Sequence, residues 1–187
     1  SLLAALLSPA LKNAREAGRR IACLNNLRQI YSASQMYAND FDDYSLPNYG
    51  DETGAVQTRW PAILGPYVGN SVAVYACPSM DRSRLNHSNA GSITLNGKPV
   101  WSGYALNIQV GGGWGNPRYK RSEFTNLPNT VFITDGNSIN TASWNADQGA
   151  IPQYSEYWHG GMINIVFLDG HIEAERSPIS TKYRWTP

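Results

Sequence analysis

The chain has 187 residues, enough for one domain with its own hydrophobic core. Lys and Arg number 15 and Asp and Glu number 14, so the net charge gives no reason to expect a nucleic-acid partner. The charge is distributed unevenly, with a basic stretch over residues 12–28 and an acidic stretch over residues 40–52. The 17 Gly, 11 Pro, 6 Trp and 11 Tyr favour a turn-rich exported fold over a cytosolic enzyme.

A single helical pattern covers residues 2–38. Apolar residues recur there at steps of three and four, as a 3.6-residue period requires: Leu3, Leu7, Ala10, Ala14, Ala17, Ile21, Leu24, Leu27 and Tyr31. Pro9 lacks an amide hydrogen and predicts a kink or local break about one turn upstream. The helix would be about 55 Å long, more than the width of a globule of about 150 residues. Part of it is therefore expected to protrude.

The first residues, SLLAALLSPAL, form an uncharged apolar run. A helix needs about 20 residues to span a bilayer, so this run is either the start of a buried helix or the cut end of a longer membrane anchor. A signal peptide is disfavoured, because no basic residue precedes the run and no small-residue cleavage site closes it. A coiled coil is another alternative, although Ala occupies most seam positions between Ala10 and Ala17.

Past the helix the sequence predicts short elements separated by turns. RWPAILGPYVGN allows at most a two-turn helix, since Pro61 favours a helix start and Gly65-Pro66 a stop. VAVYACP from Val72 and GYALNIQV from Gly103 predict strands, and SVAVYAC also fits a helix end. NTVFITDGNS predicts a strand over residues 131–134.

The clearest local pattern lies near the C-terminus. Two short runs alternate: Ile163, Ile165 and Phe167 with Asn164, Val166 and Leu168, and then Ile172 and Ala174 with His171, Glu173 and Glu175. Asp169-Gly170 between them predicts a two-residue type I′ turn, and hence a hairpin over residues 163–174. We expect Ile165, Phe167 and Ile172 of this hairpin to pack on the long helix.

Segments at both ends of the chain carry a family resemblance. The opening SLLAALLSPALKNAREAGRRIACLNNLRQI is similar to the sequence just after the hydrophobic anchor of type IV pilins and type II secretion pseudopilins, including the proline that kinks it. His159, nine intervening residues and Asp169-Gly170 resemble the C-terminal signature of a bacterial pilin-like subfamily. Shorter segments that resemble the family are CLNNLRQI, MYANDFDDYSLP, WPAILGPYVG, YACP and TVFITDG.

The resemblance implies an α+β fold in which a long N-terminal helix packs on an antiparallel β-sheet. Residues 1–39 would hold the end of a membrane anchor and an amphipathic part, and residues 40–187 a globular head. It implies a structural subunit of a pilus or pseudopilus filament that acts by polymerisation, with no catalytic residue or cofactor. Expected partners are other pilin-like subunits, a prepilin peptidase, the secretion or pilus assembly machinery and the bacterial inner membrane. The head would lie in the periplasm or on an extracellular filament.

Cys23 and Cys77 are the two cysteines of the chain. An exported head lies in an oxidising compartment, so the resemblance implies that they form a disulfide; two buried thiols are the alternative. We expect Arg15, Arg19 and Arg20 to contact the acidic stretch of a neighbouring subunit, with a solvated helix face as the alternative. This chain alone is expected to be a monomer or weak dimer.

A metal hydrolase is one rival function. It would use His159, Asp169 and His171 as ligands, with His87 nearby. The predicted hairpin separates His159 from Asp169 by about 30 Å along an extended strand, so we expect no metal at these residues. We expect His159 instead to tie a loop to the sheet through a side-chain hydrogen bond.

An exported carbohydrate-binding or adhesive head is the main alternative function. Tryptophans that can stack on sugars fall in or beside loops: Trp101, Trp114, Trp144 and Trp158. Packing over the core of a small sheet explains them equally well. Calcium is a further candidate ligand, because DGNSIN and NADQG offer oxygen atoms, although neither has the EF-hand spacing.

Overall fold

The first element of the computed structural model is a helix of 39 residues, α1 (Leu2–Asp40). The structure describes residues 2–49, 59–85, 93–112, 117–138, 140–141 and 155–176, with the side chains of all but residues 2–7 and 140–141. α1 is continuous through Pro9, so the local break predicted upstream of that proline does not form. None of the helices in these ranges has the length and apolar character needed to cross a membrane.

α1 packs on the rest of the molecule along its second half. Buried residues follow there at steps of three and four: Cys23, Leu27, Ile30, Ala33, Ser34, Tyr37 and Ala38. Between residues 8 and 21 every side chain is exposed, apart from the half-buried Glu16 and Arg20. We call residues 8–21 the exposed half and residues 23–40 the packed half. The protrusion expected from the helix length corresponds to the exposed half.

The described strands form two separate sheets. They are β1 (Thr94–Leu95), β2 (Lys98–Pro99), β3 (Tyr104–Asn107), β4 (Val131–Asp135), β5 (Asn140–Thr141), β6 (Met162–Phe167) and β7 (Ile172–Arg176). β1 and β2 pair with each other, and the described part of the main sheet has the order β5-β3-β4-β6-β7. Its neighbours are antiparallel, except that β5 at the edge runs parallel to β3. The predicted α+β class, with a long helix packed on this sheet, is confirmed.

Short helical elements connect the strands. They are α2 (Trp60–Ile63), α3 (Ile108–Gly111) and 3₁₀ turns at Gly65–Val68, Val72–Tyr75, Arg82–Arg84, Arg121–Glu123 and Leu127–Asn129. The short helix expected around Pro61 is present. The strand expected from Val72 is wrong, because that segment is a 3₁₀ turn in which the Tyr75 hydroxyl donates to the Pro61 carbonyl at 2.9 Å. This 3₁₀ turn packs between α2 and α1, and that packing overrides the β propensity of Val72 and Val74.

The hairpin of β6 and β7 is present, but its turn is not the predicted type I′. The N–H of Phe167 donates to the His171 carbonyl at 3.0 Å, which leaves a loop of three residues, 168–170. The N–H of Gly170 donates to the Phe167 carbonyl at 2.9 Å, and Gly170 has a φ of 92°. Asp169 does not have a positive φ, which a type I′ turn would require. A type I turn followed by a left-handed glycine fits these values.

The sheet is buried on both faces at β6, and this decides which hairpin residues meet α1. Val166 and Leu168 belong to the large core cluster that includes the packed half of α1. Ile165 and Phe167 lie on the opposite face, in a second cluster. The prediction that these two residues pack on the helix is therefore wrong, whereas Ile172 does lie against the large cluster. Strand residues are apolar on both faces here, so their alternation did not indicate which face meets the helix.

Candidate functional site

A buried disulfide joins α1 to the head just past the end of the exposed half. Cys23, the first buried residue of α1 among those with described side chains, bonds to Cys77, with 5.1 Å between the two Cα atoms. Cys77 follows the 3₁₀ turn Val72–Tyr75 and lies 54 positions further along the chain. The predicted disulfide is thus present, and it joins α1 covalently to the head.

His159 lies against this disulfide with a side chain that is 1% exposed. Its Nε2 atom is 3.5 Å from Sγ of Cys77 and 3.6 Å from Oδ2 of Asp135, at the end of β4. Its Nδ1 atom is 3.1 Å from Oε1 of Glu16 on α1. His159 therefore does make a side-chain hydrogen bond, but to the helix rather than to the sheet. With Arg20 beside them, these residues form what we call the junction cluster: Glu16, Arg20, Cys23, Cys77, Asp135 and His159.

A tight turn before β6 positions the imidazole ring. Gly160 and Gly161 have φ values of 65° and 85°, a conformation that glycine adopts without steric cost. The N–H of His159 donates to the Met162 carbonyl at 3.2 Å, which closes the turn. The pair of glycines thus folds the chain back, so that the ring points at α1 and the disulfide.

Hydrogen-bond chemistry fixes the tautomer of His159. A carboxylate only accepts, so the contact with Glu16 places the proton on Nδ1 and leaves the Nε2 lone pair facing Cys77. Burial lowers the pKa of His159 by more than the neighbouring Glu16 raises it. His159 is therefore neutral at pH 7. Glu16 also accepts from the Ser79 hydroxyl at 2.7 Å, which holds the carboxylate in place.

Asp135 is fully buried, and desolvation raises its pKa to about 8. The N–H of Asn164, which donates at 2.7 Å, and the charge of Arg20 favour the ionised form but do not offset the burial. Asp135 is therefore protonated at neutral pH, and its contact with His159 is not an ion pair. Its Oδ1 atom has no hydrogen-bond partner among the described residues. A buried polar atom without a hydrogen-bond partner costs about 1–3 kcal/mol. This cost and the raised pKa of Asp135 together make the junction cluster a candidate functional site.

Asp169 and Gly170, which end the sequence signature that begins at His159, lie in the turn after β6. Asp169 accepts from the N–H of His171 at 3.1 Å and is 2.6 Å from its Nδ1 atom. Gly170 lies against the packed half, where a Cβ atom would come within 2.4 Å of the Tyr31 ring. Six residues of strand separate this turn from His159, so the ligand set His159, Asp169 and His171 is not brought together. His87 lies outside the described residues.

The three arginines expected to contact a neighbour fall in two environments. Arg15 and Arg19 are exposed, and Arg19 is 3.8 Å from Glu16. Arg20 is half-buried, and its charge acts on Asp135 and His159 inside the junction cluster. Arg20 thus belongs to the head rather than to a solvated helix face.

The acidic stretch is also divided. The Tyr67 hydroxyl donates to Asp40 at 2.8 Å, and Arg121 pairs with Asp43 at 2.6 Å. Burial raises the pKa of Asp43, but the hydrogen bonds and charge of Arg121 and the N–H of Ser122 together outweigh it and hold this pKa below its usual range. Asp42 is exposed. Asp51 and Glu52 lie outside the described residues.

A groove of about 560 Å³ runs between the exposed half of α1 and the loop before β6. Its cationic wall consists of Lys12, Arg15 and Arg19, and its opposite wall of Trp158 and Gly160. The groove is therefore open to solvent, basic on one side and aromatic on the other.

The tryptophans proposed for sugar stacking are only partly described. Trp158 is 8% exposed, and the guanidinium group of Arg84 lies 5.2 Å from its ring centroid. Trp101 is half-buried, and Trp114 and Trp144 lie outside the described residues. Trp158 therefore does not present an open face for stacking.

The two segments that offer oxygen ligands for calcium, DGNSIN and NADQG, are also only partly described. Within DGNSIN, Asp135 is buried in the junction cluster and the Asn137 amide donates to Glu156 at 2.7 Å. NADQG lies outside the described residues. In the described part of the first segment, Asp135 and the Asn137 amide therefore contact other residues of the head.

Sequence reasoning missed two members of the junction cluster, Glu16 and Asp135. Glu16 is the single acidic residue within the basic stretch, and Asp135 ends β4, where Thr134 separates it from the apolar residues 131–133. An acidic residue at the end of a fully buried strand is a signal that was available, since carboxylates are rarely buried without a specific partner.

Part of the chain is similar to a known protein family. Residues 12–86 match the family described as "Protein of unknown function (DUF1559)", a family typical of pilin-like, prepilin-type proteins. The match covers most of α1 and the first part of the head, and the His159 and Asp169-Gly170 signature lies outside it. No curated protein and no solved structure matches the chain.

Proposed function

We propose that this protein is a structural subunit of a pilus or pseudopilus-like filament, and that it acts by polymerisation rather than by catalysis. The observation that carries the proposal is the exposed half of α1. It extends for about 20 Å beyond the packed half and carries Leu11 and Ile21, which are 61% and 59% exposed. A helix segment that projects beyond its own head leaves these side chains available for contact with other molecules.

The matched family and the fold support the same proposal. A helix that leaves a sheet-bearing head is the arrangement of a pilin-like subunit, and residues 12–86 match a family typical of such proteins. On this proposal the partners are other pilin-like subunits, a prepilin peptidase, the assembly machinery of a type II secretion or type IV pilus-like system and the inner membrane. The head would lie in the periplasm or on an extracellular filament.

The contact between subunits is proposed to be partly electrostatic. Lys12, Arg15 and Arg19 line the groove beside the exposed half, and Asp42 is exposed just past the other end of α1. The distance along the helix between Arg15 and Asp42 is about 40 Å at 1.5 Å per residue. A neighbour shifted by that distance along the helix axis would bring its acidic end to the basic groove. Arg20 is left out of this contact, because it already faces Asp135.

The test is a double charge reversal, Arg15→Glu and Arg19→Glu, in the full-length protein produced in its own cells. We expect filaments counted by electron microscopy to be lost while the amount of folded protein is unchanged, since like charges repel across the contact. The matched control is Arg82→Glu with Arg176→Glu, two exposed arginines elsewhere on the head. Absence of filaments containing the wild-type protein would contradict the function itself. Normal filaments from the α1 double variant would contradict only the electrostatic contact.

A further inference from the structure

We propose that reduction of the disulfide converts the junction cluster into a buried zinc site, in which the thiolates of Cys23 and Cys77 and the Nε2 atom of His159 bind the ion. The three ligand atoms lie within 4.8 Å of one another. They come from α1, from the loop after the 3₁₀ turn Val72–Tyr75 and from the turn before β6. Positions so far apart in sequence are brought together by the fold itself.

The spacing fits a tetrahedral ion. With Zn–S near 2.3 Å and Zn–N near 2.0–2.1 Å, a sulfur and a nitrogen ligand lie about 3.5–3.6 Å apart, and two sulfurs about 3.8 Å apart. The Cys77 sulfur and the His159 Nε2 atom are already 3.5 Å apart. The two sulfurs therefore have only to separate after reduction, by rotation of their short side chains.

The histidine is prepared for metal binding in its present state. A zinc-bound imidazole usually donates its other N–H to a carboxylate, which fixes the tautomer and strengthens the ligand. Here Nδ1 faces Oε1 of Glu16 at 3.1 Å, and Nε2 presents its lone pair to the sulfur. Glu16 is in turn held by Ser79.

Asp135 borders this site, although its carboxylate is not among the ligand atoms that all lie within 4.8 Å of one another. Its Oδ2 atom is 3.6 Å from the His159 Nε2 atom, near the spacing of two ligands on one ion, and its Oδ1 atom is buried with no partner among the described residues. A divalent cation would compensate the buried negative charge of the two thiolates. The Glu16 side chain is 34% exposed and lines the open groove, so the cluster lies one side chain from solvent.

The chemistry balances with a dithiol as reductant. The disulfide takes two electrons and two protons from the dithiol, which itself becomes a disulfide, and leaves two thiols on the protein. Zinc binding then releases the two thiol protons, because thiolates are the ligands. Oxidation of the two thiolates by a disulfide carrier reverses the sequence and releases the ion.

The experiment measures metal in the oxidised and reduced protein. Protein reduced with a phosphine is mixed with zinc chloride, freed of excess ion by gel filtration and analysed by plasma mass spectrometry. We expect about one zinc ion per reduced chain and none on the disulfide-bonded chain. Cobalt chloride in place of zinc should give the absorption bands of a tetrahedral thiolate site. A reduced protein that unfolds without metal should refold when zinc is added; if it binds no zinc in either condition, the proposal is wrong.

Variants separate this site from adventitious binding. His159→Ala should abolish stoichiometric zinc, whereas the matched control His171→Ala, at the far end of β6, should keep it. Glu16→Gln should weaken zinc binding by about 10- to 100-fold, as loss of such supporting partners does at other zinc sites. Equal zinc binding by the His159→Ala and His171→Ala proteins would show that the two thiols alone take up the ion, and would overturn the proposal. None of these measurements depends on filament formation.

Discussion

The two halves of α1 belong to one continuous helix but are stabilised in different ways. In the packed half, Leu27 and Ile30 are fully buried, so removal of apolar surface from water holds the helix in place. In the exposed half, Leu11 and Ile21 face solvent, so helix formation relies on the propensity of its Ala, Leu, Lys and Arg residues. The same kind of substitution should therefore change folding stability in one half and association in the other.

The largest effect is expected where the two halves meet. Replacing Cys23 and Cys77 together by Ser removes the covalent link between α1 and the head, and should lower the free energy of unfolding by about 4 kcal/mol in the chain-entropy model. Urea unfolding of the variant and of the wild type, both with a metal chelator present, measures the difference. Reduction of the wild type under the same conditions should give a similar loss. Identical urea midpoints for the oxidised and reduced wild type would contradict a stabilising role for the link.

A matched pair of leucines tests the comparison directly. Leu27→Ala should cost about 3 kcal/mol, because it leaves a cavity in the core, whereas Leu11→Ala should change stability by less than about 0.5 kcal/mol. Urea unfolding of the two variants measures both. On the proposed function, Leu11→Ala should instead reduce the number of filaments. Similar losses of stability in the two variants would mean that the exposed half also packs on the head.

Two glycines with positive φ, one beside each half of α1, allow the same comparison with a smaller expected effect on stability. Gly170→Ala should cost about 2 kcal/mol or more, because a Cβ atom there meets the Tyr31 ring of the packed half at 2.4 Å in addition to the backbone strain. Gly160→Ala, beside the exposed half, meets no atom within 4 Å and should pay only the strain, about 1 kcal/mol. Thermal unfolding of both variants isolates the contact with α1. Equal costs would show that Tyr31 moves aside.

The smallest effect concerns the pH dependence of the junction. Because the folded-state pKa of Asp135 is raised to about 8, the folded protein holds a proton that the unfolded chain has released, and the free energy of unfolding falls as pH rises towards 8. The lowered pKa of His159 acts in the opposite direction, since stability is lost as pH falls below about 6.5. Between about pH 6.5 and 8 the Asp135 contribution is therefore the larger of the two.

Urea midpoints over this window provide the test. The wild type should lose about 1 kcal/mol per pH unit, less than the roughly 1.4 kcal/mol for one full proton, because Asp135 begins to ionise near pH 8 and His159 acts in the opposite direction. Asp135→Asn should lose less, since an amide does not titrate. Only the slope is compared, so a change in overall stability of the variant does not matter. Parallel slopes for the two proteins would mean that Asp135 is ionised throughout the window.

Much of the architecture follows from sequence periodicity. The helix of α1, the strands β3 and β4 and the hairpin of β6 and β7 were predicted, because each has a run of apolar residues at a fixed spacing. The faces of β6 were not predicted correctly, because a strand buried on both sides has no polar face to orient it. The turn type was missed for a related reason. Asp-Gly fits both a two-residue loop and a three-residue loop, and the pairing of Phe167 with His171 decides between them.

The junction cluster was accessible to sequence reasoning only in part. The disulfide was implied by the family resemblance and the cysteine count, and the importance of His159 by its signature. The positions of Glu16 and Asp135 depend on how α1 crosses the sheet, which no local pattern specifies. The same packing half-buries Arg20, which the charge pattern assigned to the surface.

The position of the disulfide also has a mechanical consequence. Tension applied along the exposed half of α1 reaches the head at Cys23, and a covalent bond passes it directly to Cys77. The chain between the two cysteines, a separation of 54 residues, is thereby shielded from the load. About 180 Å of contour length, at 3.3–3.6 Å per residue, cannot be extended while the bond is intact. The packed half of α1, which lies within that segment, would keep its fold under a force that unravels the exposed half.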